Sequence, residues 1–280
     1  MAGTTSKGIC YFCKGEFGKA GMVQHLKTCK QRAAVLAESE SDTKSFRPKK
    51  TRLFHIMIQG LRLPMYWLHI EMPASARLAD LDNFLRGIWL ECCGHLSAFR
   101  MGNASYSWDV EEADDAALDQ LDEMLAQASA AYGDPTMPPR TASVNDLHYF
   151  QRVGKLPPFP LGRSKVRSMA PELGKVLQVG QKFTHEYDFG STTELELKVV
   201  AEREGKVKKG KQLVEVLARN LPPTEPCTGC GKPAKYLSVV NDHAWCAACA
   251  EGHRGDYEFE TSIRVVNSPR MGVCGYTGKD

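Results

Sequence analysis

The chain has 280 residues, 42% of them apolar and 25% charged, with a formal net charge of +3. Such a composition suits one sizeable globular domain with appendages, or two small ones, and argues against a collagen-like or wholly disordered chain. The balance is too mild to demand a nucleic-acid partner. Charge is unevenly spread: residues 1–52 carry eleven Lys/Arg against four Asp/Glu, and residues 109–123 carry eight acids and no base. The opening MAGTTSKGICYFC lacks the apolar core of a signal peptide, and no apolar run reaches the roughly 18 residues a bilayer span needs, so a cytoplasmic protein with no membrane contact is expected.

In chain order, the first element is Cys10-Tyr-Phe-Cys13 followed by His25 and Cys29, a C-x2-C-x11-H-x3-C pattern. It is close to a ββα finger, in which a hairpin supplies two thiolates to zinc and a helix supplies the other two ligands. His25 and Cys29 share a helical face at this spacing. Phe17 and Met22 would form the small apolar core that so short a unit needs beside its metal. Ahead of His25 the helix offers Ala20, Gly21 and Met22, which make no paired hydrogen bonds to base edges, so the finger reads as a protein-contact or solvated surface before a sequence reader. Residues 38–51 are polar, charged and broken by Pro48, the composition of a flexible linker, which would leave the finger as a separate bead over residues 1–37.

The main domain is expected over 52–220. Leu53–Gln59 and Met65–Glu71 alternate and are rich in β-formers, two antiparallel strands. Leu78, Leu81, Leu85 and Ile88 then mark an amphipathic helix, with Ser75 as a possible cap, ending before Gly94. His95–Met101 and Ala104–Trp108 form a short strand pair around Gly102-Asn103. An acidic helix is expected over 114–132, then a long irregular stretch to about 178. Seven Lys/Arg stand between Arg152 and Lys182 against Glu172 alone, which makes 152–182 a candidate partner surface. Lys182–Gly190, Thr193–Glu204 and Lys211–Ala218 read as strands, with a basic turn over 205–210. Runs of strands without repeated crossovers give an α+β fold: an antiparallel sheet with packed helices, flanked by a small ββα zinc finger and a zinc ribbon.

The ribbon comes last, over 221–280. Cys227-Thr-Gly-Cys230 and Cys246-Ala-Ala-Cys249 are separated by fifteen residues, enough for a hairpin that returns the second knuckle to the first, and four thiolates close the coordination of one zinc. No place is left for water or substrate, so the role is structural. Trp245 is expected to cover the zinc hairpin. Ile263 to Val265 suggest a final strand folded back beside the ribbon, with Cys274 buried there. Two zinc ions per chain are expected in all.

Within the core, His95, Leu96 and Phe99 follow a helix end as His-Leu-x-x-Phe, and Tyr187-Asp188-Phe189-Gly190 closes a later strand. On these two pieces the stretch 52–218 resembles the plasmid pRi ORF-three-like family, also met as TnpR-like passenger proteins of insertion elements. Members usually continue with an acidic residue and Trp, where Ser191, Thr192 and Thr193 stand here. The resemblance implies the β-β-α start and a mobile-element setting, and no established reaction.

His95, His185, Glu186, Tyr187 and Asp188 are the candidates for acid-base chemistry, with His185 and Tyr187 on one face of their strand and Glu186 and Asp188 on the other. Asp188-Phe-Gly also reads as a hairpin tip whose carboxylate bonds its own backbone. No phosphate loop, nucleophile elbow or HExxH helix occurs. Cys92-Cys93 makes poor redox geometry and reads as a helix-end pair. The reading that results is a non-enzymatic, zinc-stabilised binding or adaptor protein. The alternatives are a nucleic-acid binder using the finger and 152–182, and a hydrolase or nuclease using His95 and Asp188. The partner expected is a protein or a nucleic acid.

Overall fold

The computed structural model describes residues 6–41, 50–112, 166–206 and 213–278, with scattered positions between 115 and 162. Its centre is a hairpin of β3 (Lys50–Gly60) and β4 (Trp67–Pro73), in register from Leu53↔Pro73 to Gln59↔Trp67. Alternation along β3 turns Phe54, Ile56 and Ile58 inward, and every residue of β4 is buried, as befits a strand covered on both faces. The long β11 (Thr193–Lys206) pairs with β3, and its Leu195, Leu197 and Val199 continue the buried face. Beyond it lie β10 (Lys182–Tyr187), β5 (Ser97–Met101), β6 (Ala104–Ser107) and β9 (Val166–Ser168). On the other flank, β4 pairs with β12 (Glu215–Asn220). All these pairings are antiparallel except β6 with β9, which is parallel.

Helix α3 (Leu78–Leu85) lies on the sheet with Leu78, Leu81 and Leu85 fully buried among the core residues, each contributing about 1.5–3 kcal/mol by leaving water. Its start is held by the Asp80 carboxylate accepting from the Arg77 backbone N–H at 2.8 Å, so Ser75 is not the cap. The helix then loosens into a single π turn, Arg86–Leu90, which buries Trp89 and leaves Ile88 half-buried. Such turns often mark functional positions, and this one delivers the chain to Cys92. The architecture is α+β, a mainly antiparallel sheet with packed helices.

The N-terminal finger is not a separate bead. Its strand β1 (Lys7–Cys10) pairs with β12 from Gly8↔Asn220 to Cys10↔Ala218, and β2 (Glu16–Gly18) extends the sheet to ten strands, in the order β2-β1-β12-β4-β3-β11-β10-β5-β6-β9. Helix α1 (Lys19–Thr28) buries Met22 and Leu26 with Cys10 and Cys29 against Trp67, Leu217 and Ala218. Gly8 permits this approach: a Cβ there would meet the Arg219 carbonyl and the Trp67 ring at 2.4 Å. A second helix, α2 (Lys30–Ser41), runs into the expected linker and is pinned by Arg32, whose guanidinium donates to Glu71 at 2.8 Å. Linker residues 42–49 lie outside the described residues.

Two other expectations shift. The stretch ending near residue 178 is ordered at its close: β9 is followed by a short helix, α4 (Leu173–Val176), whose Leu173 N–H donates to the Ala76 carbonyl at 2.7 Å. The acidic segment is helical at 115–117, 119–120 and 123, and its remainder, with most of 124–165 and the turn at 207–212, lies outside the described residues. Of the few described residues in 124–165, Arg140–Thr141 (β7) and Leu161–Gly162 (β8) form a two-residue parallel pair. The C-terminal segment carries β13 (Tyr236–Leu237), β14 (Ala244–Trp245), β15 (Ile263–Arg264) and two short helices, α5 (Ala247–Glu251) and α6 (Tyr257–Glu260). β15 does return beside the ribbon, pairing with β13.

Under the finger sits a buried imidazole pair, His55 Nε2 to His69 Nδ1 at 2.9 Å. Burial, the neighbouring ring, and the charges of Arg32 and Lys27 hold His55 down to about 3, and burial holds His69 down to about 4. Both are neutral in the folded chain near neutral pH, whereas the unfolded chain protonates them near 6.5. Between those values the unfolded state binds more protons, so stability is full above about pH 6.5 and falls as pH drops toward 4. Urea denaturation at stepped pH is expected to show this loss, with a limiting slope of about 1.4 kcal/mol per pH for each ring, and the double variant His55→Phe/His69→Leu to flatten it. An equally steep slope in the variant would assign the acid lability elsewhere.

Candidate metal centres

In the finger, Cys10 ends β1 and Cys13 follows in a tight turn closed by the Lys14 N–H donating to the Cys10 carbonyl at 2.9 Å. Lys14 takes a left-handed φ of 61°, unusual for a side chain larger than Gly, and this aims the Gly15 N–H at the Cys13 sulfur, 3.4 Å away. That amide, ahead of the other contributors, holds the Cys13 thiol below its ordinary value. His25 Nε2 lies 3.3 Å from Cys13 Sγ, with its ring stacked on Phe17 at 3.8 Å between centroids. Cys29 is not on α1 but caps it, at the break before α2. The four ligand atoms of Cys10, Cys13, His25 and Cys29 lie within 4.8 Å of one another.

The ribbon quartet is built in the same way. The Cys227 carbonyl accepts from the Gly231 N–H at 2.8 Å, Gly231 takes φ 72°, and the Cys246 sulfur accepts from the Cys249 N–H as α5 begins. Cys230 Sγ is 3.6 Å from both Cys246 Sγ and Cys249 Sγ. Ligands about 2.3 Å from a tetrahedral zinc stand about 3.8 Å apart along each edge, whereas a disulfide brings sulfurs to about 2.05 Å. The observed spacing fits the former, and all ten cysteines are free thiols. Backbone donors, chiefly the Cys246 amide, hold the Cys227 thiol down to about 6, while the sulfurs of Cys230, Cys246 and Cys227 push Cys249 up to about 12. Four thiols this close ionise together only around a cation. Trp245, next to Cys246 in the chain, is buried and packs against Phe259 and His253. His243 and His253 turn away to Glu258 and Asp256 at 2.7 and 3.0 Å.

A third group was not expected. The π turn ends at Glu91, and Cys92, Cys93 and His95 converge on Cys274 from the tail, again with ligand atoms within 4.8 Å. Cys274 is exposed, not buried. Behind them lies a buried charged network. Asp82 and Arg86 pair at 2.6 Å, and the Arg86 Nη2 donates to the His95 carbonyl and the Ser97 hydroxyl at 2.7 Å each. The Tyr187 hydroxyl donates to Glu91 at 3.0 Å and accepts from the His95 N–H at 3.3 Å. The Arg270 guanidinium, wholly buried, donates to Asp188 at 2.7 Å.

The five candidates for acid-base chemistry therefore divide. His185 is fully buried against Asp82 at 2.6 Å, and Glu186 faces Arg100 on the surface. His95, Tyr187 and Asp188 gather, with His95 Nε2 3.5 Å from the Asp188 carboxylate. Simple strand alternation put Asp188 opposite Tyr187. Instead Asp188 leaves the strand at φ 65° and turns back beside it, its Oδ1 accepting from the Gly190 and Ser191 N–H groups as the hairpin-tip reading anticipated. Arg270, then the Ser191 hydroxyl, hold that carboxyl far below the usual carboxylate range. Arg270, Cys92, Cys93 and Cys274 were the site residues the sequence reading missed. The dense Cys-Cys-Gly-His run and one leftover cysteine were the available signal.

Fold and clusters together define an α+β protein carrying, among the described residues, three Cys/His groups compatible with zinc. No family model and no curated protein matches the chain. Among solved structures it is similar to MM3350, a protein of unknown function from Methanosarcina mazei Go1, at 14% identity over 60% of this chain and 69% of that one, with a TM-score of 0.36. No helix among the described residues is long and apolar enough to cross a membrane.

Proposed function

We propose that the chain is a non-enzymatic, zinc-stabilised binding or adaptor protein. The observation that carries this reading is that the finger and the ribbon each present four protein ligands, which leaves a bound zinc no open position for substrate. The surface offered to a partner is mainly basic: two depressions of about 410 and 520 Å³ meet at Lys175, one lined by Lys50, Arg52 and Glu172, the other by Lys182, with Arg52 and Lys182 each 3.6 Å from a glutamate, Glu202 and Glu196. Lys175 and Lys182 belong to the basic stretch 152–182, and Lys50 and Arg52 stand at the start of β3.

His95 beside Asp188 favours a second reading, a hydrolase, because the two are within 3.5 Å. Against it, Asp188 is spent on Arg270 and two backbone amides, and an anion held so firmly orients an imidazole but accepts no proton near neutrality. The mobile-element setting belongs to the same proposal. It draws on the His95-Leu-x-x-Phe and Tyr187-Asp-Phe-Gly pieces lying side by side, with Ser97 opposite Tyr187 and Phe99 opposite His185.

Fluorescence anisotropy with a labelled oligoglutamate peptide and with mixed DNA and RNA tests the proposal. The peptide is expected to bind, and Lys175→Glu/Lys182→Glu to weaken it several-fold. Tight nucleic-acid binding that collapses steeply with salt, as counterion release requires, would transfer the surface to nucleic acid. Binding of neither probe would remove the basic surface as a docking face.

A further inference from the structure

We infer that Cys92, Cys93, His95 and Cys274 form a third zinc site, which clasps the C-terminal tail to the core. The spacing is that of a coordination shell. Cys92 and Cys93 sulfurs are 3.5 Å apart, Cys93 and Cys274 sulfurs 3.7 Å, and His95 Nε2 lies 3.0 and 3.4 Å from Cys93 and Cys274. These match the edges of a tetrahedron around zinc, about 3.8 Å between sulfurs, and are too long for a cystine.

Backbone geometry supports the assignment independently. In the finger, a left-handed residue, Lys14, follows a ligand cysteine, and in the ribbon Gly231 does. The third group repeats the device twice: Gly94 (φ 78°) follows Cys93, and Gly275 (φ 64°) follows Cys274. Cys274 itself sits at φ 51°, a strained conformation for a residue with a side chain that needs a compensating interaction. The turn Gly94 makes is fastened by its N–H donating to Glu91 at 2.6 Å, which leaves both preceding cysteines and His95 facing one point.

Outer contacts fix the ligands as metal sites require. Arg270 donates to both Cys92 Sγ, at 3.5 Å, and Asp188, while the Tyr187 hydroxyl takes the backbone N–H groups of Cys92 and His95. Three thiolates and one imidazole are a donor set for a soft divalent ion. Beside them, Asp188 is already paired with the single guanidinium of Arg270, so three ionised thiolates need a further cation, and a zinc ion offsets most of that excess. The two strands of the clasp are remote in sequence, with Cys93 and Cys274 181 positions apart, so the ion would close most of the chain into one loop and seat the tail on the π turn.

Native mass spectrometry of the full chain, equilibrated with zinc and desalted, tests the site. Three ions are expected for the wild type and two for Cys274→Ser and Cys93→Ser, each with circular dichroism unchanged. An ion count unchanged between the wild type and Cys274→Ser, or a Cys93–Cys274 disulfide in peptide maps, would overturn the proposal. Should the variants fail to fold, iodoacetamide labelling of the wild type decides. Protection of all three cysteines that is lost on chelation supports the site, and labelling in the zinc-loaded protein overturns it. Neither outcome bears on the adaptor reading, which rests on the finger, the ribbon and the basic surface.

Discussion

Removing the metal from the C-terminal quartet is expected to unfold the ribbon while leaving the central sheet intact. The reason is how little apolar matter holds that segment. Within residues 225–262, Trp245 is the one large, well-buried side chain, backed by Ala234, Ala244 and Ala250 and the two buried ligands Cys227 and Cys246. Its strands are two residues long, too short to hold by pairing alone. In small zinc domains the ion supplies about 10–16 kcal/mol of apparent binding energy, and that energy is the folding energy. Cys246→Ser, or EDTA on the wild type, should therefore release residues 225–262 to fast amide exchange and proteolysis. The sheet core, with Phe54, Ile56, Ile58, Leu195 and Leu197 wholly buried, should keep its protection. A ribbon still protected in EDTA would mean four clustered thiols with no metal role. The finger should respond less, because β1 is paired to β12 and Met22 and Leu26 pack on Trp67, contacts that survive loss of the ion.

Arg270→Met should destabilise the whole core by about 3–5 kcal/mol, the usual cost of leaving one partner of a buried ion pair alone. The guanidinium is fully buried, lies 4.8 Å from the Tyr187 ring centroid, and donates to the Thr193 hydroxyl at 3.0 Å as well as to Asp188. Its loss strands the Asp188 carboxylate beside His95. The double variant Arg270→Met/Asp188→Asn should recover a good part of the loss, since it removes the uncompensated charge. Urea denaturation of the two single variants and the double variant gives the coupling directly. Additive effects would show that Arg270 acts only by filling space. The pH response separates the two partners further. Asp188 has a depressed folded pKa, so its share of stability is present above the ordinary carboxylate range, near 3.8, and is lost only below it. This window lies on the acid side of the His55/His69 loss.

Much of the fold was legible because its signals are local. Alternation marked β3, β4, β10 and β11, and the three- and four-residue steps of Leu78, Leu81 and Leu85 marked α3. What failed were statements about distance. Nothing in residues 7–10 shows that they will pair with 218–220, so the finger looked like a bead when it is the edge of the sheet. Strand periodicity placed Asp188 on the wrong face because one left-handed residue at the strand's end cancels the alternation.

By itself, the amino-acid order determined the two cysteine knuckle sets, since a C-x2-C turn brings its own two sulfurs together through spacing that is written in the chain. It determined the strands and the helix for the same reason: a period of two or of 3.6 is a property of consecutive residues. Only the tertiary structure decided that Cys274 meets Cys92, Cys93 and His95, and that Arg270 returns from the tail to neutralise Asp188. Those encounters depend on where the tail crosses the turn between β10 and β11, which Arg270 meets at Asp188, Ser191 and Thr193. Contacts between residues so far apart leave no periodic trace in the sequence that makes them.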